Sequence, residues 1–166
     1  MKLDQMIDIH KEALYRLCFY LEKDKDRADD LFQDTWVKAL GKLHTYDETK
    51  AFYPWIAQIA VNLYRDKLRR LKQELKKRYY EETPLQHLVT KEESIEDFLI
   101  HKEELRRVLE AIQDLQDKYK LPLLLVLYEK FSYKEVAQML GISEKLVKSR
   151  VYDGRQKLRK LVGKEI

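Results

Sequence analysis

The sequence predicts an all-α protein of two small helical domains joined by a charged linker, the second domain containing a helix-turn-helix. The chain has only 4 Gly and 3 Pro among 166 residues, whereas β-sandwiches and barrels are rich in turns built from these residues. Apolar residues recur at i, i+3 and i+4, which is the spacing of amphipathic helices. Charged residues make up 37% and hydrophobic residues 45% of the chain, a balance that fits helices around a core rather than disorder.

The first domain is predicted to span residues 1–75 and to contain three helices. The opening helix covers about residues 3–21, and a second helix, with Asp26 as its N-cap, ends at Gly41. A polar segment follows, and Pro54 is expected to be the first residue of a helix that runs to about residue 75. The residues expected to face the core of the first two helices include Ile7, Leu14, Leu17, Cys18, Ala28, Leu31, Phe32, Thr35, Ala39 and Leu40.

Residues 76–104 break the helical pattern and are expected to form a linker. This segment begins basic, turns acidic, contains Pro84 and has few apolar residues. The second domain, residues 105–166, is predicted to consist of about four short helices, one of which starts at Pro122.

The last two helices have the layout of a helix-turn-helix. Ser132 and Glu135 are spaced as a capping box, in which each side chain bonds to the other residue's backbone N–H. Gly141 permits the sharp turn, and Ser143 caps the helix that follows. In this motif the second helix enters the major groove of DNA. The stripe expected to be buried on it is Leu146, Val147, Val151 and Leu158.

The outward face of this last helix is basic. Residues 143–164 carry 8 Lys or Arg against 2 Asp or Glu, which points to a polyanionic partner. The side chains suited to phosphates or base edges are Lys145, Lys148, Ser149 and Tyr152, with Arg150 and Arg155 on the flanks of this face. The alternative is an ordinary helical hairpin with a solvated basic face.

Two further clusters lie in the first domain. One combines aromatic and basic or polar residues, as single-stranded nucleic acid requires for stacking and backbone contact: Tyr46, Phe52, Trp55, Asn62, Arg65 and Arg69. The alternative is that the aromatic rings belong to the core, and for Trp55 alone that alternative is favoured. The other cluster places Asp30, Gln33 and Asp34 on an exposed helix face, where they either dock on a basic protein surface or are merely solvated.

No site for catalysis, a cofactor or a metal is evident. The four histidines are scattered without metal-ligand spacing, and the nucleotide-binding and nucleophile motifs are missing. Cys18 is the one cysteine, so no intrachain disulfide forms and a reducing compartment is expected. Neither a signal peptide nor an apolar run long enough to span a membrane is found. We therefore expect a cytoplasmic protein that is not an enzyme and does not insert into a membrane.

The order of three segments resembles a known family. Three segments are similar to the extracytoplasmic-function (group IV) sigma factors of bacterial RNA polymerase: ADDLFQDTWVKAL, FYPWIAQIAVNLYRDKLRR and LPLLLVLYEKFSYKEVAQMLGISEKLVKSRVYDGRQKLRK. The charged linker separates the last two. The resemblance implies a subunit that binds core polymerase and directs promoter-specific initiation without cofactors. It also implies an anti-sigma protein as a partner.

The resemblance assigns roles to the candidate residues. Those matching the region that docks on the polymerase β′ clamp helices are Asp30, Gln33, Asp34 and Lys38. Those matching the regions that capture, read and melt the minus-ten element are Tyr46, Phe52, Trp55, Asn62, Arg65 and Arg69. The helix with Lys145, Lys148, Ser149, Arg150, Tyr152 and Arg155 matches the one that reads the minus-thirty-five duplex.

The sequence departs from the family pattern at two places on this last helix. Lys145-Leu146 stands where the family usually has Gly-Thr, and Asp153-Gly154-Arg155 where it often has Arg-Ala-Arg. A different interpretation of the whole chain is a dimeric helix-turn-helix regulator without a polymerase-binding role. A third is an interaction protein that only sequesters a partner.

Overall fold

The chain folds into helices and their connections throughout residues 2–79 and 103–163, which are the residues that this computed structural model describes. It divides into two compact units, Met1–Ser94 and Ile95–Ile166. The all-α prediction with a C-terminal helix-turn-helix is confirmed. The predicted linker, residues 76–104, lies mostly outside the described residues.

The first unit is a bundle of three helices that pack on one another: α1 (Leu3–Glu22), α2 (Lys25–Lys42) and α3 (Phe52–Tyr79). A 3₁₀ turn, Leu43–Thr45, follows α2. Leu14, Leu17 and Cys18 of α1 are buried as expected, whereas Ile7 is only partly buried. Apolar burial of this kind supplies the main driving force for folding.

Polar contacts fix the three helices in register. Tyr15 Oη donates to Asp29 Oδ1 at 2.6 Å, and burial together with this bond raises the pKa of Tyr15 to about 12. Lys67 Nζ lies 2.7 Å from Glu22 Oε1, and the Glu22 side chain is only 5% exposed. Because one partner is buried, loss of Lys67 would leave a carboxylate uncompensated, which is costly.

Three predicted boundaries in this unit are wrong. The N-cap of α2 is Asp24, whose carboxylate accepts the Arg27 N–H at 2.9 Å. Asp26 instead lies in the first turn, where its charge still complements the helix dipole. Helix α3 begins at Phe52, so Pro54 is its third residue, and the helix continues to Tyr79.

The C-terminal end of α3 extends beyond the packed bundle. Every side chain from residue 70 to residue 78 is exposed, including those of Leu71 and Leu75. Packing against other described residues therefore gives these turns little support, and backbone hydrogen bonding within the helix has to hold them.

The second unit contains α4 (Glu103–Gln113), α5 (Asp117–Leu123), α6 (Tyr133–Leu140) and α7 (Glu144–Val162). Helix α7 packs against the other three. Pro122 does not start a helix, as predicted, but lies inside α5. Proline lacks an N–H and removes one helical hydrogen bond. Directly after it the helix widens into a π-helical segment, Leu124–Tyr128, with Glu129 N–H bonded to the Leu124 carbonyl.

The helix-turn-helix caps are confirmed. Glu135 N–H donates to Ser132 Oγ at 3.1 Å, and Ser132 N–H donates to Glu135 Oε2 at 2.7 Å. Gly141 adopts φ 65°, the left-handed conformation that favours glycine. Ser143 Oγ accepts the Leu146 N–H at 3.1 Å.

Gly154 allows α7 to approach α5 closely. A Cβ placed on Gly154 would lie 2.6 Å from Leu123 Cδ1 and 3.0 Å from Leu123 Cγ. Leu123 is fully buried, so its side chain has little room to move away. Glycine is unfavourable within a helix by about 1 kcal/mol relative to alanine. Here the close packing of the two helices accounts for its presence.

We expect Gly154→Ala to destabilise the protein by about 1 kcal/mol, because an overpacking cost of about 1–3 kcal/mol exceeds the gain of up to about 1 kcal/mol in helix propensity. Gly41→Ala is the matched control. Gly41 also lies within a helix, but no described atom stands within 4 Å of the position that its Cβ would take, so this variant should be more stable than the wild type. Thermal unfolding of the wild type and of both full-length variants measures the change in stability that each substitution causes. Equal stabilisation by both would contradict the close-packing account.

Candidate functional site

The outer face of α2 carries polar side chains around an apolar one. Asp30, Gln33 and Asp34 are exposed, as predicted, and make no ion pair or side-chain hydrogen bond with other described residues. At 100° per residue they surround Val37, which is 69% exposed. We call these four residues the docking face.

Val37 is a residue that sequence reasoning missed. The buried stripe of α2 is Ala28, Leu31, Thr35 and Ala39, and Val37 lies on the opposite side of the helix. Leu40, expected to be buried, is 50% exposed, because it is turned about 100° away from Ala39. An apolar residue at the centre of a polar helix face was the available signal.

Lys38 lies at the edge of the docking face rather than within it. It lies about 100° around α2 from Val37, on the side turned toward α3. There it lines a groove together with Lys42, Asn62 and Arg69.

Five rings around the start of α3 form an aromatic cluster. Phe52 lies at its centre: its ring centroid is 5.4 Å from that of His10, 6.3 Å from Trp36, 5.3 Å from Tyr46 and 5.4 Å from Trp55. The partial burial of His10 in this cluster lowers the pKa of its imidazole.

The cluster divides into buried and accessible rings. Phe52 is 4% exposed. Its ring therefore belongs to the core and is not available for stacking on a base. Tyr46 and Trp55 are both partly exposed, with centroids 5.2 Å apart. His10 and Trp36 are partly exposed as well, so Phe52 alone of these five rings is closed to a ligand.

Side chains of the loop that carries Tyr46 form hydrogen bonds within the loop. Asp47 Oδ1 accepts the backbone N–H of Thr49 at 3.0 Å and its hydroxyl at 2.6 Å. These bonds lower the pKa of Asp47. Tyr46 Oη donates to the Lys50 carbonyl, so the ring of Tyr46 is fixed against Phe52 and Trp55.

A polar stripe continues from Trp55 along α3. Asn62 and Arg69 follow Trp55 at intervals of seven residues, and Arg65 flanks them. Asn62 Oδ1 accepts from Gln58 Nε2 at 3.0 Å, and Arg69 is paired with Asp66. The predicted polar and cationic residues therefore lie on one side of α3, in line with the accessible aromatic rings.

The outer face of α7 brings together five of the six residues predicted there. Lys145, Lys148, Ser149, Tyr152 and Arg155 lie within about 120° of the helix circumference, and we call them the basic face. Four are exposed and Arg155 is partly exposed. Lys148 Nζ lies 3.8 Å from Glu144 Oε1 and 5.7 Å from the centroid of Tyr133.

Arg150 lies apart from the basic face. It is turned about 140° away from Arg155, on the flank that also carries Leu146 and Asp153. Leu146 is 37% exposed rather than buried as predicted, because the stripe that packs against the unit is Val147, Val151, Gly154 and Leu158.

Neither a metal-binding cluster nor a membrane-spanning helix is found in the described part of the chain. No group of three or more His, Cys, Asp or Glu residues in residues 2–79 and 103–163 is placed to hold a metal ion. Within the same ranges, none of the helices combines the length and the apolar character needed to cross a membrane.

Comparison with known proteins identifies the family. The sigma-70 region 2 family model matches residues 6–74, and the sigma-70 region 4 model matches residues 105–158. The ECF RNA polymerase sigma factor SigM of Bacillus subtilis is 29% identical over 100% of this chain and 98% of its own. SigW of the same organism is 27% identical over 93% of this chain and 86% of its own.

The chain belongs to the extracytoplasmic-function sigma factors.

Two solved structures share its fold. RpoE from Bartonella quintana, in complex with the anti-sigma factor NepR, superposes with a TM-score of 0.80 at 22% identity, covering 98% of both chains. CnrH, in complex with the cytosolic domain of CnrY, gives 0.65 at 24% identity, covering 98% of this chain and 88% of its own. In this sigma factor the docking face and the aromatic cluster lie in region 2, and the basic face lies in region 4.

Proposed function

We propose that this sigma factor binds core RNA polymerase through the docking face and positions it at promoters through two DNA contacts. The basic face of α7 reads the minus-thirty-five duplex, and the aromatic cluster with the α3 stripe captures melted minus-ten bases. In this assignment residues 1–75 and 105–166 are the functional domains, and residues 76–104 connect them. The observation that carries the proposal is that an acidic face, unpaired among the described residues, and an aromatic-cationic stripe share the first unit.

The docking face suits the β′ clamp helices as a mixed polar and apolar contact. Asp30 and Asp34 have no cationic partner among the described residues, so they are free to pair with a basic surface. Val37 adds an apolar centre to this polar face, as in protein interfaces whose cores exclude water. We propose Lys38 as a contact at the edge of this surface, toward α3.

Capture of a minus-ten base relies on Tyr46 and Trp55. The buried ring of Phe52 packs against both of these rings and positions them, so its contribution to DNA binding is indirect. Extruding a base from the duplex costs a few kcal/mol, which stacking and hydrogen bonding in a pocket can repay. Asn62, Arg65 and Arg69 continue the contact along α3. No step requires a catalytic group, and we propose none.

The basic face of α7 suits duplex DNA because of its motif and its charge. In a helix-turn-helix the second helix lies in the major groove, where lysine and arginine bind phosphates or guanine edges and serine reaches bases. Arg150, on the opposite flank, is placed for a backbone contact rather than for reading a base next to Lys145. Asp153 lies on that flank too, away from Lys148 and Arg155.

We also propose an anti-sigma protein as a regulatory partner. RpoE and CnrH, which share this fold, were solved in complex with NepR and with the cytosolic domain of CnrY. A protein of that class that covers the docking face would block polymerase binding. We expect this sigma factor to act in the cytoplasm, where polymerase and chromosome are found.

A dimeric helix-turn-helix regulator is not favoured. Such a protein needs neither an unpaired acidic face nor an accessible aromatic pair in a separate unit. Both sigma-70 region models match this chain, and together they cover about three quarters of it.

Transcription from fragmented genomic DNA by bacterial core polymerase, with and without this protein, tests the proposed function. We expect discrete new transcript starts that share two spaced upstream elements. Absence of new starts together with absence of core binding would overturn the proposal.

We expect Asp34→Lys to weaken binding to core polymerase by about tenfold or more, equivalent to about 1.4 kcal/mol, because it places like charge against a basic surface. Glu12→Lys, a charge reversal at an exposed position of α1, is the control and should bind normally. Titration of labelled core polymerase measures both. An equal loss in both variants would mean that net charge, not the docking face, controls binding.

We expect Lys145→Gln to reduce the salt dependence of duplex binding by about 0.9 in the slope of log K against log[salt], the value for one lost phosphate contact. Lys25→Gln removes the same charge at the exposed start of α2, in the first unit, and should leave the slope unchanged. Fluorescence anisotropy with a duplex carrying the mapped upstream element gives both slopes. Equal slopes for the two variants would count against the basic face.

A further inference from the structure

A groove runs between the C-terminal half of α2 and the middle of α3. It has a volume of about 330 Å³ and is lined by Lys38, Lys42, Ile59, Asn62, Leu63, Asp66 and Arg69. Three of these side chains are cationic and one is anionic. The groove therefore carries a net positive charge and a polar amide, with apolar side chains among its walls.

Two lysines of α2 supply two of the three cations that line the groove. Neither Lys38 nor Lys42 forms an ion pair with any residue in the described ranges. They stand at i and i+4 on one helix, where like charges repel and destabilise the helix. The dipole at the C-terminal end of α2 favours Lys42, and Asp34, four residues before Lys38, lines a neighbouring hollow with that lysine. Both ammonium groups are thus held beside the groove with no ion pair formed among the described residues.

The other polar groups of the groove leave donors available. Asn62 uses its carbonyl oxygen to accept from Gln58, so its amide N–H groups remain for an acceptor. Asp66, the single carboxylate among the lining residues, is paired with Arg69, which reduces its repulsion of an anion. Ammonium groups and amide donors together are the chemistry that binds a phosphate group.

The groove is continuous with the surface proposed to hold unpaired bases. Asn62 follows Trp55 by seven residues on α3, a distance of about 10 Å along the helix axis at 1.5 Å per residue. One extended strand can therefore stack a base near Trp55 and place a nearby phosphate in the groove. A duplex cannot do so without unpairing, because its bases are stacked inside.

We propose that this groove binds a backbone phosphate of single-stranded DNA, with Lys42 and Lys38 as its main cationic contacts. Lys42 thus becomes a DNA-binding residue, and the main role of Lys38 is transferred from polymerase to DNA. The inference rests on the proposed capture of melted DNA by the first unit.

The test uses the full-length protein and fluorescein-labelled oligo(dT) of about 15 nucleotides, a length within the site sizes of single-strand binding proteins. Anisotropy titrations across a range of salt concentrations give the slope of log K against log[salt]. We expect Lys42→Gln to lower the magnitude of this slope by about 0.7, the value for one single-strand phosphate contact, and Lys38→Gln to do the same. Lys25→Gln, at the exposed start of α2, is the matched control and should keep the wild-type slope.

A variant expected to bind oligo(dT) more tightly provides a second test of the phosphate site. Asp66→Asn removes the one carboxylate that lines the groove and releases Arg69, so we expect it to tighten oligo(dT) binding by about threefold or more. A damaged fold does not produce such a gain. A loss of affinity in this variant would contradict the phosphate site.

Three results would overturn the proposal: a wild-type slope for Lys42→Gln, an equal change in Lys25→Gln, or the same Lys42-dependent change with a fully paired duplex of equal length. Absence of salt-dependent oligo(dT) binding by the wild-type protein would also overturn it. None of these results affects the transcription experiment. Failure of the phosphate site can therefore be distinguished from failure of the proposed function.

Discussion

The ring of Phe52 connects the parts of the first unit that a sigma factor has to coordinate. It packs against His10 of α1, Trp36 of α2, Tyr46 of the intervening loop and Trp55 of its own helix. Burial of one aromatic side chain contributes several kcal/mol, and its neighbours lose contacts together when it is removed. The same ring therefore sets the position of the helix that carries the docking face and of the loop that presents Tyr46. The proposed polymerase contact and the proposed base capture therefore share one core.

The second unit depends on a different constraint, the close contact of α7 with α5. Gly154 removes the side chain that would collide with Leu123, and the π-helical segment follows directly on α5. The departure from the family pattern at Gly154 thus has a packing explanation, whereas Asp153 has none. Gly154 faces inward, and Asp153 lies at the edge of the basic face, about 40° around the helix from Ser149.

Local chemistry made much of this architecture predictable. The caps at Ser132 and Ser143 and the turn at Gly141 depend on bonds between residues close in sequence, and the sequence alone was sufficient to predict them. Features decided by tertiary packing were not predictable in the same way. Both Asp24 and Asp26 can cap α2, and nothing local shows that Phe52, rather than Trp55, is the ring that is buried. The docking residues could be placed on one face by periodicity, but the exposure of Val37 required the orientation of the whole helix.

The exposed end of α3 has a consequence for how far the chain can extend from the three-helix bundle. A residue in an α-helix advances the chain by 1.5 Å, whereas an extended residue spans at most about 3.3–3.6 Å. Each residue that unwinds from the C-terminal end of the helix and becomes extended therefore adds about 2 Å to the span of the chain. Residues 70–78 have little packing against other described residues to lose when they do so. Unwinding of residues 70–78 would add up to about 18 Å to the span of this segment, and it would do so without disturbing the packed core of region 2.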